Sequence, residues 1–139
     1  MRKLLVPLIG AVALSGCGSE YRPATTAVDV RVRQVMDVSQ GAYAEGSYSY
    51  IRVERTSGDK LLEERLPEAT GHSPTFVSET VLRVDPGEYR FVSFQRTCDG
   101  NCGSLDPPSD ECKQVDRVDE PADLTVTVRP GEGCTFTKK

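Results

Sequence analysis

Residues 76–95, FVSETVLRVDPGEYRFVSFQ, contain the pattern that decides the fold. Phe76 to Val84 and Tyr89 to Gln95 are short runs in which apolar residues are interspersed with polar ones, as is typical of β-strands. Asp85-Pro86-Gly87-Glu88 separates the two runs, and its central proline and glycine favour a type II turn. The stretch therefore predicts two strands joined by a tight turn.

The same signals recur on both sides of this stretch. Val28, Val30 and Val32 alternate with charged residues, and in Tyr48 to Arg55 the apolar set changes face after Tyr50, as a β-bulge would cause. The remaining predicted strands are Leu61–Leu66, which also fits a helical turn, Val115–Val118, Leu124–Val128 and a last strand through Cys134 and Phe136. Seven or eight short strands separated by turns predict an all-β fold, a single antiparallel β-sandwich such as an Ig-like one, over residues 28–139.

Two family resemblances agree with this prediction. Residues 84–91 resemble the apolar-x-Pro-Gly-x-Tyr hairpin of prealbumin-like sandwiches, such as carboxypeptidase regulatory-type and Cna-B-type modules. Residues 98–103 (CDGNCG), residues 105–108 (LDPP) and Cys112 are similar to a segment of small lipoproteins of high-GC bacteria. These families are mostly binding, spacing or adhesive domains, so the resemblance implies no catalytic chemistry.

The N-terminus has the organisation of an export leader. Met1-Arg2-Lys3 is positively charged, and the apolar run from Leu4 to Leu14 matches the central part of a signal peptide but is too short to span a bilayer. Leu14-Ser15-Gly16-Cys17 resembles the lipobox of bacterial lipoproteins. The resemblance implies that residues 1–16 are removed and that Cys17 receives a diacylglyceryl group. The alternative is an ordinary secretory leader in which this cysteine is incidental.

Lipidation would determine where the protein resides. Two acyl chains bind a bilayer with a free energy of order 20 kcal/mol, so we expect a lipid-anchored protein on the extracytoplasmic face of the cell membrane. Residues 17–27 are polar and contain Pro23, which predicts a flexible tether, and its last ten residues reach at most about 35 Å. The domain itself would then span residues 28–139.

The charge of the chain excludes one class of partner. The chain has 17 basic and 21 acidic residues, and removal of Arg2 and Lys3 with the leader changes the formal charge from −4 to −6. An acidic domain lacks the basic face of a nucleic-acid-binding protein and has no charge-based affinity for anionic lipid. We expect a monomer that contacts the membrane through the Cys17 acyl chains alone.

The other four cysteines predict two disulfides, because exported proteins fold in an oxidising compartment. Of the three pairings, we favour Cys98 with Cys102, whose three intervening residues can close a tight turn, and Cys112 with Cys134, which a three-strand meander brings to one end. The spacings match neither a zinc site nor a thioredoxin-like redox pair.

The segment between Thr97 and Cys112 is the candidate binding loop. Its oxygen-bearing side chains belong to Asp99, Asn101, Asp106, Asp110 and Glu111. Calcium is one interpretation of such a set. The EF-hand pattern fails, however, with Ser104 in place of the required glycine, and we prefer a solvated, disulfide-pinned loop without a metal.

Catalytic signals are few. His72 is the one histidine, it lies in the loop predicted between Pro67 and Pro74, and the chain has no Gly-x-Ser-x-Gly motif. We predict a non-catalytic binding or structural module of the cell envelope, without a cofactor, whose partner is an envelope protein or polymer. The alternatives are a small inhibitor of a hydrolase and a calcium-assisted adhesion module that uses residues 98–112.

Overall fold

The computed structural model describes residues 20–39, 47–98 and 102–139. The leader, Cys17, Asp99 and Asn101 lie outside the described residues. In the part described, no helix is long and apolar enough to cross a membrane. The strands are β1 (Val28–Asp37), β2 (Ser47–Arg55), β3 (Lys60–Arg65), β4 (Thr70–His72), β5 (Thr75–Val84), β6 (Gly87–Thr97), β7 (Ser109–Val118), β8 (Ala122–Arg129) and β9 (Gly133–Lys138).

The strands form two sheets that pack face to face. One sheet has the order β4-β5-β1-β8-β9, and the other has the order β3-β2-β6-β7. Neighbouring strands are antiparallel except β1 and β8, which pair in parallel from Val30 opposite Ala122 to Met36 opposite Val128. The all-β sandwich is therefore confirmed, but the described residues form nine strands instead of seven or eight, and one sheet is mixed. The parallel pair arises because β8 and β1 begin at the same end of the sandwich.

The core lies between the sheets, where every second residue of the central strands points inward. Val30 and Val32 of β1 are at most 1% exposed, as alternation in the sequence predicted. A fully buried valine or leucine side chain stabilises a fold by roughly 1.5–3 kcal/mol relative to its exposed state. The most deeply buried apolar residues of the core cluster also include Ile51, Val53, Leu82, Val84, Phe91, Leu124, Val126 and Val128.

The sandwich has two distinct ends. We define the proximal end as the one that contains the first residues of β1 and the turn at residues 85–86. The distal end contains the crossover at residues 66–69, the described part of the cysteine loop (residue 98 and residues 102–108) and the turn at residues 130–132. Strands of ten residues rise about 3.3 Å per residue, so the two ends lie roughly 30 Å apart.

One local prediction was wrong, because the outer face of the second sheet also carries apolar residues, and the predicted strand that starts at Leu61 was confirmed. β2 pairs with β6 without interruption from Ser47 to Arg55, so no bulge follows Tyr50. Tyr50 instead lies on the outer face, and the register shift is at Val53/Glu54, against β3. Leu61–Arg65 pairs with β2 as a strand, which excludes the helical turn.

The turn at residues 85–88 is not type II. That turn requires a positive φ at Gly87, and this residue is not among those with positive φ. Gly87 begins β6 and pairs with Val118. Its small size matters for packing instead, because a Cβ atom there would lie 3.4 Å from the Tyr89 hydroxyl oxygen.

Two segments predicted as loops contain strands. Residues 70–72 form β4, which pairs with the first residues of β5. β7 begins at Ser109, so the cysteine loop is shorter than predicted, and Asp110 and Glu111 belong to a strand. The predicted strand Val115–Val118 is the second half of β7. Residues 109–114 escaped prediction because their inward positions are polar or cysteine and therefore produce no apolar alternation.

The two disulfides join Cys98 to Cys102 and Cys112 to Cys134, which is the favoured pairing. Their Cα atoms are 4.7 Å and 5.5 Å apart, respectively. The first closes the cysteine loop on itself. The second joins β7, at the edge of one sheet, to β9, at the edge of the other, and thus links the two sheets covalently.

Candidate functional site

The cysteine loop is held against the second sheet by β6. The Arg96 guanidinium donates hydrogen bonds to the backbone oxygens of Asp106 (2.9 Å) and Leu105 (3.1 Å). The Asp106 amide donates to the Thr97 carbonyl at 3.0 Å, and its side chain is exposed. Together with the Cys98–Cys102 disulfide, these contacts fix the loop at the distal end.

Asp110 has a structural role instead of the ligand role considered from the sequence. Its carboxylate accepts hydrogen bonds from the backbone amides of Gly131 and Gly133, each at 3.1 Å. Its backbone has a φ of 48°, in the left-handed region that Asp and Asn tolerate better than most residues. Asp110 thereby ties the start of β7 to the turn between β8 and β9.

The oxygen donors of this loop that the structure describes form no cluster suited to a metal ion. Glu111 pairs with Lys113 at 3.3 Å, and Asp99 and Asn101 lie outside the described residues. Among residues 20–39, 47–98 and 102–139, no group of three or more His, Cys, Asp or Glu side chains is placed to hold a metal ion.

A cleft of about 490 Å³ opens at the distal end beside the crossover. Its rim contains a cation–π pair, since the Arg65 guanidinium carbon lies 4.5 Å from the centre of the Tyr48 ring. The pair offers a ligand hydrogen-bond donors and an aromatic surface at one point. The cleft is lined by Met36, Ser47, Tyr48, Ser49, Arg65, Leu66, Pro67, Glu68 and Ala69.

A second aromatic group continues from this rim across the outer face of the sheet. The Tyr50 and Phe94 rings are stacked, with centres 5.2 Å apart and an interplanar angle of 5°. The Arg52 guanidinium lies 5.3 Å from the Phe94 ring centre and pairs with Glu54 at 2.8 Å. Sequence reasoning missed this arrangement, although the tyrosines at alternate positions 48 and 50, followed by Arg52, are its signal.

The proximal end contains a hydrogen-bonded cluster around Asp85. The Tyr21 hydroxyl donates to the Asp85 carboxylate at 2.9 Å and accepts the Asp85 amide hydrogen, while the Ala24 amide donates to the other carboxylate oxygen. The Tyr89 hydroxyl donates to the Asp85 carbonyl. Burial raises the pKa of Tyr21 and of Tyr89, and the negative charge of Asp85 acts in the same direction. Residues 21–24 of the predicted tether are thus attached to the sandwich.

His72 lies apart from both clusters. It is exposed in β4 at the edge of the first sheet, opposite Thr75. No hydrogen bond or ion pair joins it to a serine, aspartate or glutamate in the described parts of the chain, and no Ser-His-acid arrangement is formed there.

Comparison with solved structures shows a distant likeness. The chain is similar to a crystal structure of a Bacteroides fragilis protein with a proposed role in cell adhesion, with 14% sequence identity and a TM-score of 0.39. The match covers 82% of this chain and 45% of the other, so the chain spans less than half of that protein's length. No protein-family model and no curated protein matches the chain.

Proposed function

We propose that this protein is a lipid-anchored, non-catalytic binding module of the cell envelope that presents the distal end of its sandwich to a partner. The observation that carries the proposal is the attachment of Tyr21 to Asp85 at the proximal end. Cys17 precedes Tyr21 by four residues, which span at most about 14 Å. A lipid on Cys17 would therefore hold the proximal end close to the bilayer and turn the distal end away from it.

The distal end has the features of a contact surface on a rigid scaffold. The Arg96 hydrogen bonds, the Asp110 carboxylate and two disulfides fix its loops, so a partner would bind with little loss of loop entropy. The Tyr48–Arg65 pair lies on the rim of the cleft at the same end. Aromatic and arginine side chains are the residue types most enriched at binding hot spots.

The orientation is testable with the full chain reconstituted in vesicles that carry a headgroup fluorescence quencher. A fluorophore at Ser57, in the proximal turn between β2 and β3, is expected to be strongly quenched. A fluorophore at Ser104, in the cysteine loop, is expected to keep most of its emission because it lies roughly 30 Å farther out. Equal quenching at both positions would contradict the orientation.

The binding role is testable by photo-crosslinking in intact cells. A photoreactive side chain at Ser104 is expected to capture an envelope component as a discrete adduct, whereas the same group at Ser57, equally exposed, is expected to capture none. Loss of the Ser104 adduct on Tyr48→Ala with Arg65→Ala would place the cleft in the contact. Adducts of the same mass and yield from both positions would contradict a distal binding end.

A further inference from the structure

The longer open edge of the first sheet lies along β5. β1 pairs with all of β5 on one side, from Val84 to Thr75. On the other side β4 covers only Thr75 to Val77. Residues 78–84 therefore expose a row of backbone donors and acceptors that no described strand satisfies. Such an edge is a template for the addition of another strand.

The outer face of this edge carries one acid, one valine and one base, and the two charged side chains also pair with Arg33 and Asp29 of β1. The outward-facing residues are Glu79, Val81 and Arg83, and their side chains are between 52% and 58% exposed. Val81 is one of two large hydrophobic residues that are exposed in the described chain. A groove of about 440 Å³ borders Val81 and Arg83 and separates this edge from β3 and from residues 20–23.

The sequence of the open edge is complementary to itself in an antiparallel register. If two copies pair about a twofold axis at Val81, then Val81 faces Val81 of the second copy. In the same register Glu79 faces Arg83 in both halves of the pair, because the two residues lie equally far from Val81. Opposite charges directly across an antiparallel pair stabilise it, and the paired stretch, residues 78–84, is the stretch that β4 leaves open.

The edge that carries the other exposed valine differs from the β5 edge in its charges. Val115 is 50% exposed on β7, the edge strand of the second sheet. Its outward neighbours are Lys113 and Arg117, so the same twofold pairing there would place positive charges opposite each other. β7 is also joined to β9 by the Cys112–Cys134 disulfide. One edge is thus protected against a second copy, and the other is complementary to it.

We propose that two copies of this chain pair through the β5 edges, residues 78–84, to form one continuous ten-stranded sheet across an isologous interface. This interface replaces the monomer expected from the sequence. A seven-residue strand pair is a small contact, so the dimer is weak and reversible in solution. The pairing depends on β5 alone and not on the lipid.

One consequence rests on the proposed function. Antiparallel pairing puts the proximal end of one copy beside the distal end of the other, so lipids on the two Cys17 residues would point in opposite directions. Two copies whose Tyr21–Asp85 contacts are intact would then join two facing membranes. Two copies in one membrane would pair only after one of them released this contact, since its tether would have to cover the roughly 30 Å height of the sandwich.

Disulfide trapping of the full chain tests the interface. Residues directly opposite in an antiparallel pair have Cβ atoms about 5 Å apart, so Val81→Cys is expected to give a covalent homodimer under mild oxidation. Val115→Cys, a cysteine of equal exposure on the protected edge, is the matched control and is expected to stay monomeric. Homodimer yield from Val81→Cys no greater than from this control, or an adduct of another mass, would overturn the proposal.

Charge reversal tests whether the proposed register, and not the introduced thiol alone, determines the homodimer yield. Adding Arg83→Glu to Val81→Cys is expected to lower the homodimer yield about tenfold, and adding Glu79→Arg as well is expected to restore it. The proposed register is wrong if the variant with both charge changes does not regain the homodimer although its melting temperature is unchanged. The same dimer is expected when Cys17→Ser is added, so a failed lipidation proposal leaves this result unaffected.

Discussion

Asp110 illustrates how one side chain serves the fold where the sequence suggested a ligand. Its carboxylate accepts two backbone hydrogen bonds from the turn between β8 and β9. Spacing of oxygen-bearing residues along the chain cannot distinguish these roles, because Gly131 and Gly133 are more than 20 residues away. The turn itself was predictable from Pro130-Gly131, but its partner was not.

We expect Asp110→Ala to lower the free energy of unfolding by about 1–3 kcal/mol, since it leaves two backbone donors without their acceptor. Asp110→Asn is the matched control, because asparagine retains one acceptor oxygen and tolerates the positive φ. It is expected to lose less stability than alanine. Urea unfolding of both variants measures the difference, and equal losses would show that the carboxylate is not the tie to the turn.

The Tyr21–Asp85 contact predicts a pH dependence at the proximal end. The folded pKa of Tyr21 lies above its usual value, so the contact is fully present below about pH 10 and is lost as pH rises through the raised pKa. In an ultraviolet titration of tyrosinate, the Tyr21→Phe variant is expected to lack one tyrosine that ionises at a higher pH than an ordinary tyrosine. A late step of unchanged size in this variant would contradict the contact.

At the scale of elements, the strands were predictable where apolar residues mark a buried face. They were not predictable where a disulfide or hydrogen bonds hold a strand whose inward residues are polar. β1, β5, β6 and β8 follow the sequence pattern closely. Residues 109–114 of β7 have polar or cysteine inward positions, and this part is held by the Cys112–Cys134 disulfide, the β6 ladder and Asp110. The parallel pairing of β1 with β8 was also hidden, because alternation identifies a buried face but not the neighbouring strand.

The two disulfides are expected to differ in their contribution to stability. In the chain-entropy relation, the 23-residue loop closed by Cys112 and Cys134 gives about 3 kcal/mol, and the five-residue loop of Cys98 and Cys102 gives about 2 kcal/mol. Paired Cys→Ala variants measured by urea unfolding give the two values. The prediction fails if removal of the smaller loop costs more.

β1 contains one polar residue whose burial opposes stability. Gln34 is 3% exposed between the sheets, and its amide nitrogen has no hydrogen-bond partner in the described structure. Gln34→Leu is expected to raise the free energy of unfolding by about 1 kcal/mol, because it removes a buried unpaired donor. Arg33→Leu, at the exposed neighbouring position, is the control and is expected to give no gain. A loss of stability in Gln34→Leu would contradict the assignment.

At the scale of the whole molecule, the two ends of the sandwich carry different features of the sequence. The Asp85 turn and its Tyr21 contact belong to the proximal end, whereas the described part of the cysteine loop and the Tyr48–Arg65 cleft belong to the distal end. Sequence reasoning predicted the Asp85 turn and the cysteine loop. It could not place them at opposite ends, because this requires the direction of each strand and the hydrogen bonds of Tyr21 across 64 residues of chain.

Lipidation of Cys17 is the central claim, and the mature N-terminus tests it most directly. The full chain is expressed in a bacterial host beside Cys17→Ser, and each protein is fractionated and its mass measured. We predict that the wild-type chain is in the membrane fraction with an acylated N-terminal Cys17, and that Cys17→Ser loses both the lipid mass and the membrane association. An unmodified wild-type chain, or a Cys17→Ser variant that stays in the membrane with unchanged processing, would contradict the account.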